Sequence, residues 1–190
     1  MVSKKQILKN KKNILIKVDN NINLKALSLQ EIGQNYLNWI NDYEVTRYTE
    51  LRFKKSKKSD IKKFVMENWT SDNNILFGIF FKNYHLGNIK LGPINWEQLR
   101  SELSYIIGEI FFWGKGVGTK YVNSVVEFAF SVIGLQKINA GYYEINIASQ
   151  KVLERTGFQK EGVRLSNVIV DGKRINSVEV GRLNEWFLHK

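Results

Sequence analysis

The sequence predicts an α+β domain. Three observations carry that expectation: two amphipathic helical stripes near the front, three short runs rich in Ile, Phe and Tyr in the middle, and a glycine loop that opens a long apolar-faced helix. A chain of 190 residues, 43% hydrophobic and 13% aromatic, suits one well-filled core rather than two domains. No internal repeat or Gly/Ser/Pro linker divides it, and its single proline, Pro93, sits in a turn-like stretch.

The elements follow in order. Residues 23–27 read as a strand, and Ser28-Leu29-Gln30-Glu31 has the Ser-x-x-Glu form of a capping box, so a helix is expected to begin there. Leu29, Ile32, Tyr36, Leu37, Trp39 and Ile40 approximate its apolar stripe up to the turn formers Asn41-Asp42. A second helix is expected over 60–69, with Ile61, Phe64, Val65 and Trp69 on one face and Lys62, Lys63 and Glu67 facing water. The runs 75–81, 85–91 and 102–107 predict three strands of an antiparallel meander. The loop Trp113-Gly114-Lys115-Gly116-Val117-Gly118-Thr119 then leads into Val122, Val125, Val126, Ala129, Phe130 and Ile133 at helical spacing, with Gly134 as C-cap. A strand over 137–144, a helix over 147–156 closed by Gly157, and two strands turned by Asp171-Gly172 complete the order; the last is a type I′ hairpin signal.

Composition removes several function classes. With no cysteine and only His85 and His189, neither a disulfide framework, a thiolate zinc site nor a cysteine nucleophile is available, and no metal is expected. The longest apolar run, 75–81, is far short of a bilayer span, and the stretch Ile14-Leu15-Ile16 is too short for a signal-peptide core. The chain is therefore read as cytoplasmic, with no membrane partner. The net charge of +11 is uneven: residues 1–63 hold 15 Lys+Arg against 6 Asp+Glu, whereas residues 64–190 hold 14 against 12. Residues 1–21 are accordingly read as a basic extension and 22–190 as the domain. The lysine clusters lack the interleaved aromatics of single-strand binders, so they are read as solvated faces and a nucleic-acid partner is not favoured.

Glycines at 114, 116 and 118 at a helix start let several backbone N–H groups converge on an anion, with the positive end of the helix dipole behind them. Pyrophosphate is a natural guest. The loop is no Walker A, because no Gly-Lys-[Ser/Thr] closes it, and no βαβ unit precedes it as a dinucleotide fold requires.

With this loop, Trp39 to Tyr48 (WINDYEVTRY) and Asn146-Ile147-Ala148-Ser149 through Glu154-Arg155-Thr156-Gly157-Phe158, the chain resembles the GCN5-related N-acetyltransferase (GNAT) superfamily, in its ribosomal-protein and amino-sugar branch. The resemblance covers roughly residues 22–184. It implies a mixed, mostly antiparallel central sheet flanked by helices, with two strands splayed to form a cofactor cleft. It also implies acetyl-CoA as cosubstrate, its pyrophosphate on Gly114, Lys115, Gly116, Val117, Gly118 and Thr119 and its pantetheine on the backbone of about Tyr105, Ile106 and Ile107.

Acetylation of an amine needs a deprotonated nitrogen, donors for the tetrahedral oxyanion and a proton for the thiolate. A thiol of pKa about 8.5 is already a fair leaving group, so the acid helps without being indispensable. Many family members supply that proton from a tyrosine seven residues after the Asn, but Leu153 stands there. Ser149 is the candidate donor in its place, with Asn146 holding pantetheine; the same two residues also suit helix capping. The resemblance implies a catalytic Glu about nineteen residues after the Ser in ribosomal-protein enzymes, where this chain has Val168. Glu102, Glu50, Glu161 and His85 are the remaining candidate bases, and water-mediated deprotonation needs none of them.

The segments 48–53 and 85–95 resemble family members that acetylate amines on nucleotide-activated sugars in bacterial surface-glycan synthesis. Arg47, Arg52 or Lys54 would suit a diphosphate, and Tyr48 or Phe53 would stack on a base. Arg47, Tyr48, Glu50, Arg52 and His85 are thus the candidate acceptor residues, for a small-molecule amine that is a nucleotide sugar. Two alternatives stand beside it: acetylation of a protein α-amino group, and a non-catalytic acyl-CoA or nucleic-acid binding module. Exposed aromatic strands leave room for a homodimer.

Overall fold

The computed structural model describes residues 6–187. A short helix α1 (Gln6–Lys9) precedes strands β1 (Leu15–Lys17) and β2 (Ile22–Ala26), and helices α2 (Gln34–Ile40), α3 (Tyr43–Thr46) and α4 (Lys58–Thr70) follow. Then come β3 (Ile75–Phe81), β4 (Tyr84–Asn95), β5 (Arg100–Ile107), α5 (Val117–Phe128), β6 (Lys137–Tyr143), α6 (Ile147–Arg155), β7 (Gln159–Val170) and β8 (Lys173–Leu183). Eight strands form one sheet in the order β1-β2-β3-β4-β5-β6-β8-β7. Among the described residues the single parallel pair is β5–β6. The expected α+β class and mostly antiparallel sheet are therefore present, and the 75–107 region is the expected meander.

Alternation along the strands builds a core on each face of the sheet. On one face Phe77, Ile79, Ile89, Leu103 and Ile138 pack against Tyr121, Val122, Val125 and Val126 of α5. On the other, Leu76 and Phe80 meet Tyr36, Trp39, Val45, Ile61 and Val65 from α2, α3 and α4. Each buried aliphatic side chain contributes about 1.5–3 kcal/mol relative to exposure. The central strands are covered on both sides, which is why their runs read as continuously apolar.

The feature that positions the site is a short pairing. β5 and β6 share only the rungs Arg100↔Lys137, Ser101↔Ile138 and Glu102↔Asn139. Beyond them β5 stays with β4 up to Gly87↔Ile107, while β6 stays with β8 up to Tyr143↔Ser177, so the two strands diverge. A bulge in β4 between Leu91 and Ile94 lies opposite Glu102, at the level where the divergence begins.

Three expectations are corrected. The box at Ser28 is real: its N–H donates to Glu31 Oε2 at 2.8 Å and its Oγ accepts from Gln30 at 3.3 Å. It caps only a 3₁₀ turn, Leu29–Glu31, and α2 begins separately after Gly33. Glu31 is shared between Ser28 and Lys25 Nζ at 3.1 Å, which ties that turn to β2. In α4, Phe64 is 39% exposed and Asn68, at 4%, takes a buried position.

The third concerns the basic front. Leu8 and Ile14 are core residues, and β1 falls before residue 22. Lys11, expected in a solvated cluster, is only 4% exposed; its ammonium donates to the carbonyls of Asn68 at 2.6 Å and Trp69 at 3.0 Å, and also to Ser71. It caps the C-terminal end of α4, where the helix leaves carbonyls without intrahelical donors. Burial lowers its pKa to about 8, opposed by the charge of Asp72. The lysines at 54, 55, 57, 58, 62 and 63 are exposed as expected.

Candidate functional site

The divergence of β5 and β6 opens a cleft of about 1150 Å³. Residues 44–50, the outer halves of β5 and β6, the glycine loop and the start of α6 line it, with β7 and β8 closing one side.

At the cofactor end, Gly116 is the N-cap of α5 in the left-handed region (φ 73°), and no side chain caps the helix. Gly114 has φ 71°, and a Cβ placed on either glycine would meet no atom within 4 Å. The loop thus needs glycine for its backbone angles and offers open space above the first-turn N–H groups, a cradle that fits a pyrophosphate. Trp113 anchors it by donating Nε1–H to Ile107 O at 2.9 Å. Lys115 points elsewhere: its ammonium sits 3.3 Å from the centre of the exposed Phe111 ring, and it does not line the cleft.

Main-chain direction separates the three strand positions expected to meet pantetheine. The Gly108 N–H bonds to Leu86 O, so even-numbered residues of β5 turn their backbone to β4, whereas Ile107 O faces the open side. Tyr105 is therefore the residue whose backbone N–H and C=O edge the cleft. Ile106 is committed to the β4 ladder, and the Ile107 carbonyl is taken by Trp113.

Side chains alternate as well. Tyr105 and Ile107 pack on the α5 side, whereas Ile106 packs on the α2 side. Glu102 and Ser104 share the face of Ile106, toward residues 44–50. The cleft thus has a cofactor side and an acceptor side. On the first, Tyr105 Oη lies 2.9 Å from Ser149 Oγ. Burial raises the Tyr105 pKa to about 12, opposed by that hydrogen bond. Asn146 caps α6, its Oδ1 accepting from Ser149 N at 3.1 Å, which leaves its amide N–H groups as donors.

On the acceptor side, Glu102 Oε1 accepts from Asn139 Nδ2 at 3.0 Å, at the last shared rung. Glu50 Oε1 accepts from Tyr143 Oη at 2.6 Å, and burial and that carboxylate raise the tyrosine's pKa. Arg47 and Tyr48 line the cleft, but Arg47 is ion-paired with Asp171 in the β7–β8 turn. Arg52 is a strut: it donates to the carbonyl of Thr49 and, at 2.6 Å, to that of Ile169, with its side chain 5% exposed.

Two expected candidates lie elsewhere. His85 is 4% exposed, wedged among Tyr36, Trp39 and Phe80, with Nε2 against Gly87 O at 2.9 Å and Asn88 Oδ1 at 2.8 Å. Burial lowers its pKa. Its ring is enclosed between β4 and α2 and does not line the cleft. Glu161 pairs with Lys137 at 2.8 Å, and neither lines the cleft. His189 is outside the described residues. Among the described residues no group of three or more His, Asp or Glu side chains is placed to hold a metal ion, and no helix is long and apolar enough to cross a membrane.

Sequence reasoning missed the Tyr143–Glu50 bond, the Asp171–Arg47 pair and the Tyr105 side chain. Each joins segments far apart in the chain, and the single local signal was the Asp171-Gly172 turn.

A splayed sheet with a glycine-opened helix at its cleft is the architecture of an acyl-CoA-dependent acetyltransferase fold. The chain matches the model of the acetyltransferase (GNAT) domain over residues 21–159, and it belongs to that family. It is 44% identical over 109 residues to the probable N-acetyltransferase YjcK of Bacillus subtilis, covering 56% of this chain and 60% of that protein. It is 37% identical over 79 residues to the uncharacterized N-acetyltransferase YoaA of Bacillus subtilis, covering 41% of this chain and 44% of that protein. The matched segments thus span less than two thirds of either relative. Among solved structures, the ribosomal L7/L12 α-N-protein acetyltransferase RimL in complex with coenzyme A superposes with TM-score 0.80 at 15% identity, over 90% of this chain and 98% of that one. The spermidine N-acetyltransferase of Vibrio cholerae in complex with CoA and spermine gives 0.78 at 18%, over 90% and 99%.

Proposed function

We propose that the protein transfers acetyl from acetyl-CoA to a primary amine of a small molecule. The observation that carries this reading is the β5–β6 cleft, with an anion cradle at the start of α5 and the Tyr105–Ser149 hydroxyl pair at the mouth of the splay. Backbone N–H groups of residues 116–119 hold the pyrophosphate, the Tyr105 backbone runs beside pantetheine, and the acetyl group reaches the acceptor side through the gap. Bound there, acetyl-CoA supplies an activated carbonyl and a thiolate leaving group.

Ser149 donates a hydrogen bond to the sulfur as the C–S bond breaks. Glu102, on the acceptor face where the strands part, accepts the proton of the attacking amine directly or through water. The +1 charge of a protonated amine is attracted by the carboxylates of Glu44, Glu50 and Glu102.

Within this class, the acceptor is a nucleotide-linked amino sugar. Support comes from the resemblance of residues 48–53 and from Arg47, whose exposed pair with Asp171 can be exchanged for a phosphate. Against it, Arg52 is already occupied and residues 85–89, 91, 92 and 94 of the second segment are buried. A second reading, a polyamine-like cationic acceptor, is favoured by the same three carboxylates.

Incubation with acetyl-CoA and UDP- or dTDP-linked 4-amino sugars, spermidine or ribosomal-protein peptides, followed by mass spectrometry, separates these. Acetylated amino sugar supports the first reading, and spermidine alone supports the second. Peptides alone would move the protein to N-terminal acetylation. Salt-dependent RNA binding without thioester cleavage would make it a binding module.

A further inference from the structure

We propose that Tyr105 is a positioning residue for the transfer step: its phenol fixes the direction of the Ser149 hydroxyl proton so that this proton faces the thioester sulfur. The inference rests on the transferase reading and on the role of Ser149 in it.

On β5, Leu103, Tyr105 and Ile107 share the α5-facing side, and Leu103 is 3% exposed. A phenol oxygen placed beside such residues needs a partner. Tyr105 lies three residues past the last β5–β6 rung, at Glu102, so its side chain stands where β6 has already turned away. It reaches across that gap to α6. Both atoms it meets belong to Ser149: Oγ at 2.9 Å and the backbone carbonyl at 3.5 Å.

The donor in this pair follows from the inventory of protons. The carbonyl oxygen only accepts, so a phenol hydrogen directed at residue 149 satisfies both contacts. A serine hydroxyl has one hydrogen and two lone pairs. If the phenol donates to Oγ, the serine hydrogen is not spent on Tyr105 and is left available to the thioester sulfur. If the phenol were absent, that hydrogen could turn to a helix carbonyl, the usual local alternative for serine in a helix.

Residue 149 is held from a second side, because its backbone N–H is the one that Asn146 Oδ1 accepts. Tyr105 and Asn146 therefore fix the serine through different atoms. Leu153, one turn further along α6, is 1% exposed and offers no hydroxyl. The phenol near the leaving group comes here from a strand instead of the helix, and it acts through serine.

The chemistry stays balanced. The amine nitrogen forms the C–N bond, the C–S bond breaks, and the amine's lost proton is matched by the one the thiolate gains through solvent. Ser149 donates a hydrogen bond to sulfur, and neither hydroxyl is consumed.

The test uses the full chain, acetyl-CoA and hydroxylamine, a nucleophile that needs no acceptor recognition, with release of the CoA thiol as readout. Tyr105→Phe keeps the ring and removes the hydroxyl. It is expected to lower kcat about 5–10-fold, with KM for acetyl-CoA within about twofold and the melting temperature near wild type, and Ser149→Ala to lower kcat about 30-fold. The double variant should match Ser149→Ala alone, because the phenol acts only through that hydroxyl. Multiplicative losses in the double variant, or wild-type kcat in Tyr105→Phe, would overturn the proposal. Wild-type kcat in Ser149→Ala would remove the role of serine while leaving the transferase reading intact. No acceleration by the wild-type protein would count against the transferase reading itself.

Discussion

Arg47, the C-cap of α3, and Asp171 at the tip of the β7–β8 hairpin are 124 residues apart, yet Arg47 Nε lies 3.2 Å from Asp171 Oδ2, and Nη2 bonds the same oxygen. Tyr43 donates to the other carboxylate oxygen. The hairpin tip is thereby latched to the segment that lines the acceptor side of the cleft. Because the pair is solvent-exposed, Asp171→Asn should leave thermal stability nearly unchanged. It should instead alter KM for the acceptor, and the effect should shrink at high salt, while KM for acetyl-CoA stays the same. Steady-state kinetics at low and high ionic strength check this.

Gly116 supplies both a left-handed backbone and the open space above the α5 N-terminus. Gly116→Ala forces a side chain into that backbone, at about 1–2 kcal/mol. Affinity for CoA is expected to fall about tenfold by isothermal titration calorimetry, because the strain is relieved by moving the N–H groups that would hold pyrophosphate. Gly172→Ala, at the exposed hairpin turn with φ 77°, carries comparable strain and should leave CoA affinity unchanged.

His85 sets a pH dependence of stability. Burial holds its folded pKa below the ordinary 6.5, so as pH falls below 6.5 the unfolded chain takes up a proton that the folded chain does not. Stability therefore decreases as pH drops through that window, with a slope approaching about 1.4 kcal/mol per pH unit for this one group. Urea titrations between pH 5 and 8 should show this slope, and His85→Gln should reduce it.

Lys11 reports on the front segment. Lys11→Met keeps much of the side-chain volume but leaves the carbonyls of Asn68, Trp69 and Ser71 without their shared donor. A loss of about 2 kcal/mol in urea denaturation is expected. Lys12→Met, at an exposed position, should change stability by less than about 0.5 kcal/mol.

Much of the fold was legible because local chemistry encoded it. The bounds of β3 match the apolar run Ile75–Phe81, Gly134 closes the α5 helix through its π-turn extension at φ 77°, and Asp171 and Gly172 both adopt the positive φ that a type I′ turn requires. Such signals act within a few residues and survive without knowledge of the fold. The break between the turn Leu29–Glu31 and α2 falls at Gly33, whose extended backbone forms the N-cap of α2, and the apolar stripe running through Ile32 and Tyr36 concealed it. Lys11 was read as solvated because sequence gives no sign of the helix end it reaches.

The site divides along the same line. The sequence by itself determined the glycine loop and the Asn146/Ser149 helix start, since positive φ, dipole and cap are properties of contiguous residues. Tertiary structure alone decided which neighbours these groups acquired. It placed Tyr105 against Ser149, removed His85 to the core, and paired Arg47 with Asp171. The physical reason is that burial and charge pairing depend on the register at which distant strands meet, and here that register ends at Glu102↔Asn139. One rung fixes where the sheet opens, and the opening fixes which side chains can face each other across it.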